Sequence, residues 1–150
     1  MALEALYQQV ILDHNRRPHH CGRLQGATHS ARGQDALCGD DILVELRVID
    51  GRIVEAAFSG EACAITTASA SMLTQWLRGR SVTELQRACQ RFRELLANTA
   101  LADDPVLGEI NCLRAVSGFP ARVRNAVLPW HTAVRALDVP AASGEKPPPA

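Results

Sequence analysis

Charge of one sign is what this chain most plainly lacks: 16 Lys and Arg are matched by 16 Asp and Glu over 150 residues, for a formal net charge of +0. Without a basic excess there is no electrostatic reason to expect nucleic acid or an anionic membrane as the main partner. No apolar run approaches the roughly 18 residues that a spanning helix needs. The opening Met1-Ala2-Leu3-Glu4 has neither a basic start nor a signal-like apolar stretch, so a cytoplasmic chain is expected. Nucleotide loops, cofactor fingerprints and a nucleophile, base and acid at recognisable spacing are all missing. There is no internal repeat, and strands do not alternate with helices as a doubly wound sheet requires. What is left is one globular domain with a single core.

Paired cysteines are missing too. Cys21, Cys38, Cys63, Cys89 and Cys112 make an odd number with no CxxC pair, which argues against a disulfide framework. Such thiols are core filler, metal ligands or nucleophiles, and their surroundings decide among these. Cys89 lies in an apolar helical stripe and reads as a buried small hydrophobe. Cys21 sits beside His19 and His20 between Pro18 and Gly22, a poor cage for a metal. Cys112 fits any of the three roles. His29 and His131 read as solvent-facing rather than catalytic.

What is present is a clear change of period along the chain. Leu3, Leu6, Val10 and Ile11 recur at helical spacing, so the first ~14 residues form an amphipathic helix stopped at Arg16-Arg17-Pro18. A loop follows to Leu37, with room for a short edge strand. Between Asp41 and Gly60, alternating residues surround Asp50-Gly51, a dipeptide suited to a type I′ turn, and predict a β-hairpin. The segment Ala62 to Arg78 is helical, its first two turns nearly all Ala, Ser and Thr. Ser81-Val82-Thr83-Glu84 has the capping-box pattern and opens a third helix through Leu96. A short helix around Ile110 to Val116 and a last one from Phe119-Pro120 to Leu137 complete the domain. Residues 138–150, with Pro140, Pro147, Pro148 and Pro149, read as a disordered tail outside the 1–137 domain. The fold class is therefore α+β: a small antiparallel sheet with helices on one side.

Two segments carry candidate chemistry. Cys38-Gly39-Asp40 precedes the first hairpin strand, and Cys63 follows the second, at the first turn of the small-residue helix. Antiparallel pairing sets the start of one strand beside the end of the other, which predicts that Cys38, Asp40 and Cys63 converge. Sulfur and oxygen together suit zinc or iron, and a helix N-terminus favours thiolate over thiol.

Several motifs recur in a known order. These are Leu6-Tyr7-Gln8-Gln9-Val10-Ile11-Leu12-Asp13-His14 with Pro18 and Gly22, Cys38-Gly39-Asp40, Gly60-Glu61-Ala62-Cys63-Ala64-Ile65 running on through Ala68-Ser69-Ala70-Ser71, and Phe119-Pro120-Ala121-Arg122. On them the chain resembles the IscU/NifU N-terminal family of iron-sulfur assembly proteins from about Leu6 to Leu137. The long insertion between Cys63 and the Phe119-Pro120 helix, and Arg124 where the scaffold branch carries a histidine, make it more similar to the SufU-type branch.

The resemblance implies a protein that takes persulfide sulfur from a pyridoxal-phosphate cysteine desulfurase and supports iron-sulfur cluster assembly for recipient proteins. It would be at most a sulfurtransferase acting with that partner. It also implies zinc, with iron or an iron-sulfur cluster as the alternatives, held by three cysteines and one aspartate. Cys38, Asp40 and Cys63 match three of those places, with Cys38 at the sulfur-accepting position, and Asn125 stands in the fourth. A neutral amide in place of a thiolate weakens the hold on zinc. Pro129 lies four residues after Asn125 and has no N–H for the Asn125 carbonyl, so a kink is expected there; Cys112 or a water could then complete the shell. Two other readings stand beside this one: a degenerate paralogue that binds or regulates the desulfurase without handling sulfur, and a zinc-stabilised structural domain.

Overall fold

Two turns that need left-handed backbone organise the sheet. In the computed structural model, which describes residues 2–141, Asp50 (φ 50°) and Gly51 (φ 75°) take the positive angles of a type I′ turn. They join β2, Asp40–Ile49, to β3, Arg52–Glu61, as the predicted antiparallel hairpin. A second hairpin lies upstream of it. β1, His29–Asp35, pairs antiparallel with β2 so that Asp35 stands opposite Asp40, and Gly39 (φ 75°) closes the turn between them. The edge strand allowed for in the loop is β1. A two-residue strand β4, Arg80–Ser81, completes a sheet of order β1-β2-β3-β4.

The alternation in β2 and β3 buries Ile42, Val44, Leu46, Ile53, Ala56 and Phe58. Glu45, on the opposite side of β2, is buried as well. The segment after Cys21 covers it: Arg23 Nε donates to Glu45 Oε1 at 2.8 Å and the Leu24 N–H adds a second bond at 3.1 Å. A buried carboxylate needs this pairing. Part of the expected loop is thus ordered against the sheet, with Phe58 donating to His20 O and accepting from the Gly22 N–H.

The helices follow their sequence signals. α1 is Ala2–Arg16 and α2 is Ala64–Leu77; Leu3 and Leu6, part of the predicted α1 stripe, have side chains outside the described set. α3, Val82–Ala97, carries the predicted capping box between Ser81 and Glu84 and buries Cys89. A 3-10 segment, Pro105–Val116, bends at Gly108 (φ 53°). α4, Pro120–Ala136, runs through Pro129 without interruption, so the proline does not end the helix; the ring is buried there.

The small residues of α2 explain how α4 comes so near. Ala68, Ser69, Ala70 and Ser71 are buried, and Ser69 Oγ donates to the Ala126 carbonyl at 2.6 Å. Backbone contact of this kind requires side chains no larger than serine. On the neighbouring face Ser71 Oγ accepts from the His19 N–H and lies 2.7 Å from His14 Nδ1. On the other side of the ring, His14 Nε2 lies 2.7 Å from Glu109 Oε1. This chain ties α1, α2 and the 3-10 segment together.

The tail expectation is corrected for its first residues. Val139 O accepts from the Ser30 N–H and the Ala141 N–H donates to Thr28 O, so residues 138–141 run along the edge of β1, whose unpaired backbone groups attract them. Residues 142–150 lie outside the described residues. No helix among the described residues is long and apolar enough to cross a membrane.

Gly60 is the tightest point of the sheet near the site. Its φ is +111°, and a Cβ there would stand 2.2 Å from the Asp41 carbonyl oxygen. Gly60→Ala is expected to destabilise the fold by about 3 kcal/mol, measured as a lowered denaturation midpoint in urea; an unchanged midpoint would mean that β3 has room to move.

Candidate metal centre

The centre is built where the start of β2 meets the start of α2. Register pairs Asp41 with Glu61, which carries Asp40, one residue further out, and Cys63, two residues further on, toward each other. Asp40 is 3% exposed, and an ionised carboxylate so far from water must be met by donors. Cys63 donates its backbone N–H to Asp40 Oδ1 at 2.8 Å, and Thr66 Oγ1 donates to Oδ2 at 2.5 Å. Cys63 is the N-cap residue of α2 and caps with no side-chain bond of its own, so the carboxylate answers the first turn of the helix in its place. Cys63 Sγ lies 3.7 Å from Asp40 Oδ2 and 3.3 Å from Thr66 Oγ1.

Asn125 arrives from α4. Its Nδ2 donates to Cys63 Sγ at 3.1 Å, a placement that follows from the Ser69 bond to the next carbonyl, Ala126. Asn125 is 6% exposed, and its Oδ1 is buried without a hydrogen-bond partner. A buried amide oxygen without a partner is a group in need of a donor or a cation.

Cys38 stands apart from this trio. It is exposed at the tip of the β1–β2 turn, next to Leu37, which is 83% exposed. Its backbone N–H, like that of Leu37, is held by Asp35 Oδ1, at 3.3 and 3.0 Å. Among the described residues no three His, Cys, Asp or Glu side chains are gathered closely enough to hold a metal. Of the four residues singled out from sequence, the fold brings Asp40, Cys63 and Asn125 together and holds Cys38 on the turn above them. Hairpin pairing fixes residue 40, but the turn lifts residue 38 off the strand line. As a donor set, the Cys63 thiol and the Asp40 carboxylate are of the types that zinc takes, while the Asn125 amide turns its nitrogen to the thiol.

Cys112 is elsewhere. It lies on the 3-10 segment beside Glu109 and Tyr7, and burial, reinforced by the Glu109 charge, pushes its thiol from an ordinary 9.0 up to about 12. It belongs to none of the contacts around Cys63, so it does not take the role sequence left open for it. His19 packs edge-on against His14 at 5.4 Å, and Cys21 is exposed in a bridge to Phe58. A groove of about 560 Å³ near the turn has Leu96, Val123, Val127 and Leu128 in its walls together with Asp35 and Arg124; Asp40 and Cys63 do not line it. Thr66 and Asp35 escaped the sequence reading. Their signals were an i,i+3 spacing from Cys63 on one helix face and an Asp placed to accept from the N–H groups two and three residues on.

Residues 6–126 match the family described as the NifU-like N terminal domain. The chain belongs to that family. Among the similar NifU-like proteins, the zinc-dependent sulfurtransferase SufU of Bacillus subtilis is 38% identical over 129 residues, covering 85% of this chain and 86% of the relative. The iron-sulfur cluster assembly scaffold protein IscU of Streptococcus pyogenes is 33% identical over 135 residues, covering 90% and 84%. A solved SUF-system assembly scaffold from Fervidobacterium islandicum superimposes with a TM-score of 0.77 at 27% identity, over 89% of this chain and 97% of that one. The α+β architecture of this NifU-like domain is therefore shared across most of its length.

The thiols of this NifU-like chain should differ sharply in reactivity. At pH 8 the raised Cys112 thiol is expected to react with iodoacetamide roughly 1,000-fold more slowly than an ordinary cysteine, since each pH unit of upward shift cuts the thiolate about tenfold. Peptide mapping checks this; labelling of Cys112 as fast as Cys38 would count against its buried setting.

Proposed function

We propose that this chain accepts sulfur at Cys38 from a pyridoxal-phosphate cysteine desulfurase and passes it into iron-sulfur cluster assembly, in the cytoplasm, for recipient iron-sulfur proteins. The observation that carries the reading is the division of labour in the centre: one exposed thiol on a turn, Cys38, above a second thiol, Cys63, held inside by Asp40, Thr66 and Asn125. Family membership and the likeness to SufU support the same assignment. Zinc is the proposed metal, with iron or a cluster as the alternative cargo. Asp40 and Cys63, the Asn125 amide oxygen, and Cys38 when its turn closes would hold it. When bound, zinc would favour the thiolate forms of its sulfur ligands.

The transfer is a thiol exchange. The Cys38 thiolate attacks the outer sulfur of the desulfurase persulfide. The new bond joins Cys38 Sγ to that sulfur, the old sulfur-sulfur bond breaks, and the desulfurase cysteine leaves as its thiolate. One persulfide and one thiolate exist on each side of the step, so no outside oxidant or reductant is needed. Exposure of Cys38 and Leu37 at a hairpin tip suits insertion into a partner's cleft, and the apolar Leu37 offers contact area beside the nucleophile.

Incubation with a cysteine desulfurase and free cysteine is expected to add 32 mass units, one sulfur (about 32 being its atomic mass), to the Cys38 peptide and to leave Cys38→Ala unmodified. Such readouts follow persulfide chemistry directly. Sulfur found on other cysteines, or on none, would reject the assignment; the second result would favour a partner-binding role without sulfur transfer. Asn125→Cys is expected to hold zinc at least about tenfold more tightly in chelator competition, because a thiolate replaces a neutral amide. Equal affinity would remove Asn125 from the ligand set.

A further inference from the structure

We propose that the open edge of β1, with the groove beside it, takes an extended acidic segment of a partner protein as an added strand. The inference needs neither a metal nor the assignment of Cys38; it stands on the backbone of β1 and on charge.

β1 is the last strand on its side of the sheet. Alternate residues of an antiparallel strand turn their N–H and C=O groups to the same side. Ser30 sends its N–H outward to the Val139 carbonyl, and the Ala141 N–H donates to Thr28 O. By the same alternation the backbone groups of Arg32 and Gln34 face outward. The Arg32 carbonyl accepts from Nη2 of Arg135 at 2.8 Å, but the Arg32 N–H and both backbone groups of Gln34 have no partner among the described residues. Residues 139–141 thus fill the edge beside Thr28 to Ser30 and leave the half from Arg32 to Ala36 open. An edge that already receives a short antiparallel partner has the geometry for another.

Beside the open half lies the groove of about 560 Å³. It exists because α4 comes up hard against β1: a Cβ at Gly33 would overlap Thr132 Oγ1. The outer side chains of the helix therefore continue the surface past the edge of the strand. Val123, Val127 and Leu128 of α4 and Leu96 of α3 make its floor apolar. A strand added to β1 would turn every second side chain to that floor. Backbone pairing would supply affinity, and the floor would select apolar residues at alternate positions.

The rim decides the occupant. Arg93, Arg124 and His131 line the groove, and Arg32 and Arg135 stand at the strand. The acids nearby are already met, Asp35 by Arg124 at 3.4 Å and Asp41 by Arg32 at 3.3 Å. Arg93 and Arg135 are exposed and make no ion pair among the described residues. A chain of formal net charge +0 therefore carries a local cationic rim around an apolar strip. A second copy of this chain would set that rim against itself, whereas carboxylates in a partner strand complement it. The groove reaches Asp35 and Ala36, so the bound segment would lie beside the turn that carries Cys38.

The test uses the full chain and three blocked synthetic peptides of about seven residues, an ordinary strand length. One alternates valine with glutamate, one alternates valine with lysine, and one is the glutamate peptide with its backbone nitrogens methylated. The readouts are hydrogen exchange at the Arg32 and Gln34 amides and peptide affinity by fluorescence anisotropy. The glutamate peptide at saturation is expected to slow exchange at both amides about tenfold, and the other two to leave it unchanged. Arg93→Glu should weaken the glutamate peptide at least about threefold. Gln34→Pro, which removes one donor at an edge where proline is tolerated, should weaken it at least about fivefold. If Gln34→Pro fails to fold, the exposed Arg93→Glu variant and the methylated peptide carry the test. Unchanged exchange with millimolar glutamate peptide, or equal binding of the lysine or the methylated peptide, would overturn the proposal. So would protection of the Gln34 amide without peptide: rising with protein concentration, it gives the edge to a second copy, and independent of concentration, it means that the chain covers its own edge.

Discussion

A single buried carboxylate sets the geometry of this domain's working end. Asp40 gives up water at the point where β2 begins, and burial of an ion without partners would cost several kcal/mol. Its donors come from the first turn of α2, the Cys63 N–H and the Thr66 hydroxyl. The β3–α2 junction is therefore pulled against the start of β2, and Cys63 can only lie beside the acid. The same contact satisfies a helix N-terminus that lacks a side-chain cap of its own.

From that junction the rest of the centre is a packing problem. α4 must approach α2 closely enough for residue 125 to reach Cys63, and the run Ala68-Ser69-Ala70-Ser71 makes the approach feasible. A larger side chain at position 69 would push α4 away and take Asn125 with it. The Phe92 and Trp130 rings, 5.0 Å apart, brace α4 from the far side against α3. The orphaned Asn125 Oδ1 is then a consequence of a helix placed by packing and a residue chosen for the sulfur it faces.

The two cysteines of the centre are chemically unequal because their backbones are. Cys63 belongs to a helix start and is fixed by a carboxylate, a hydroxyl and an amide. Cys38 belongs to a turn held by one aspartate, at a place where the chain leaves the sheet. Exposure suits a nucleophile and enclosure suits a ligand, and the fold supplies one of each within a few residues of the same strand. An amide where a thiolate would bring negative charge leaves the trio with less hold on a cation.

Local sequence was enough for the elements whose causes are local. Asp50-Gly51 declared its hairpin, Ser81 with Glu84 declared a helix start, and the small-residue stretch declared a close helix contact. The strand pairing that follows from the hairpin also put Asp40 and Cys63 together. Tertiary structure decided what depends on distant partners. Arg23 buries Glu45 on a face that alternation alone would leave to water, and Ser30 captures Val139 from a segment whose prolines read as disorder. The same holds for the exposed turn of Cys38, whose backbone N–H is held by Asp35, itself 3.4 Å from Arg124 of the last helix. Periodicity and turn chemistry are written over a few neighbouring residues. A buried charge, by contrast, is settled by whichever donor the completed fold brings to it.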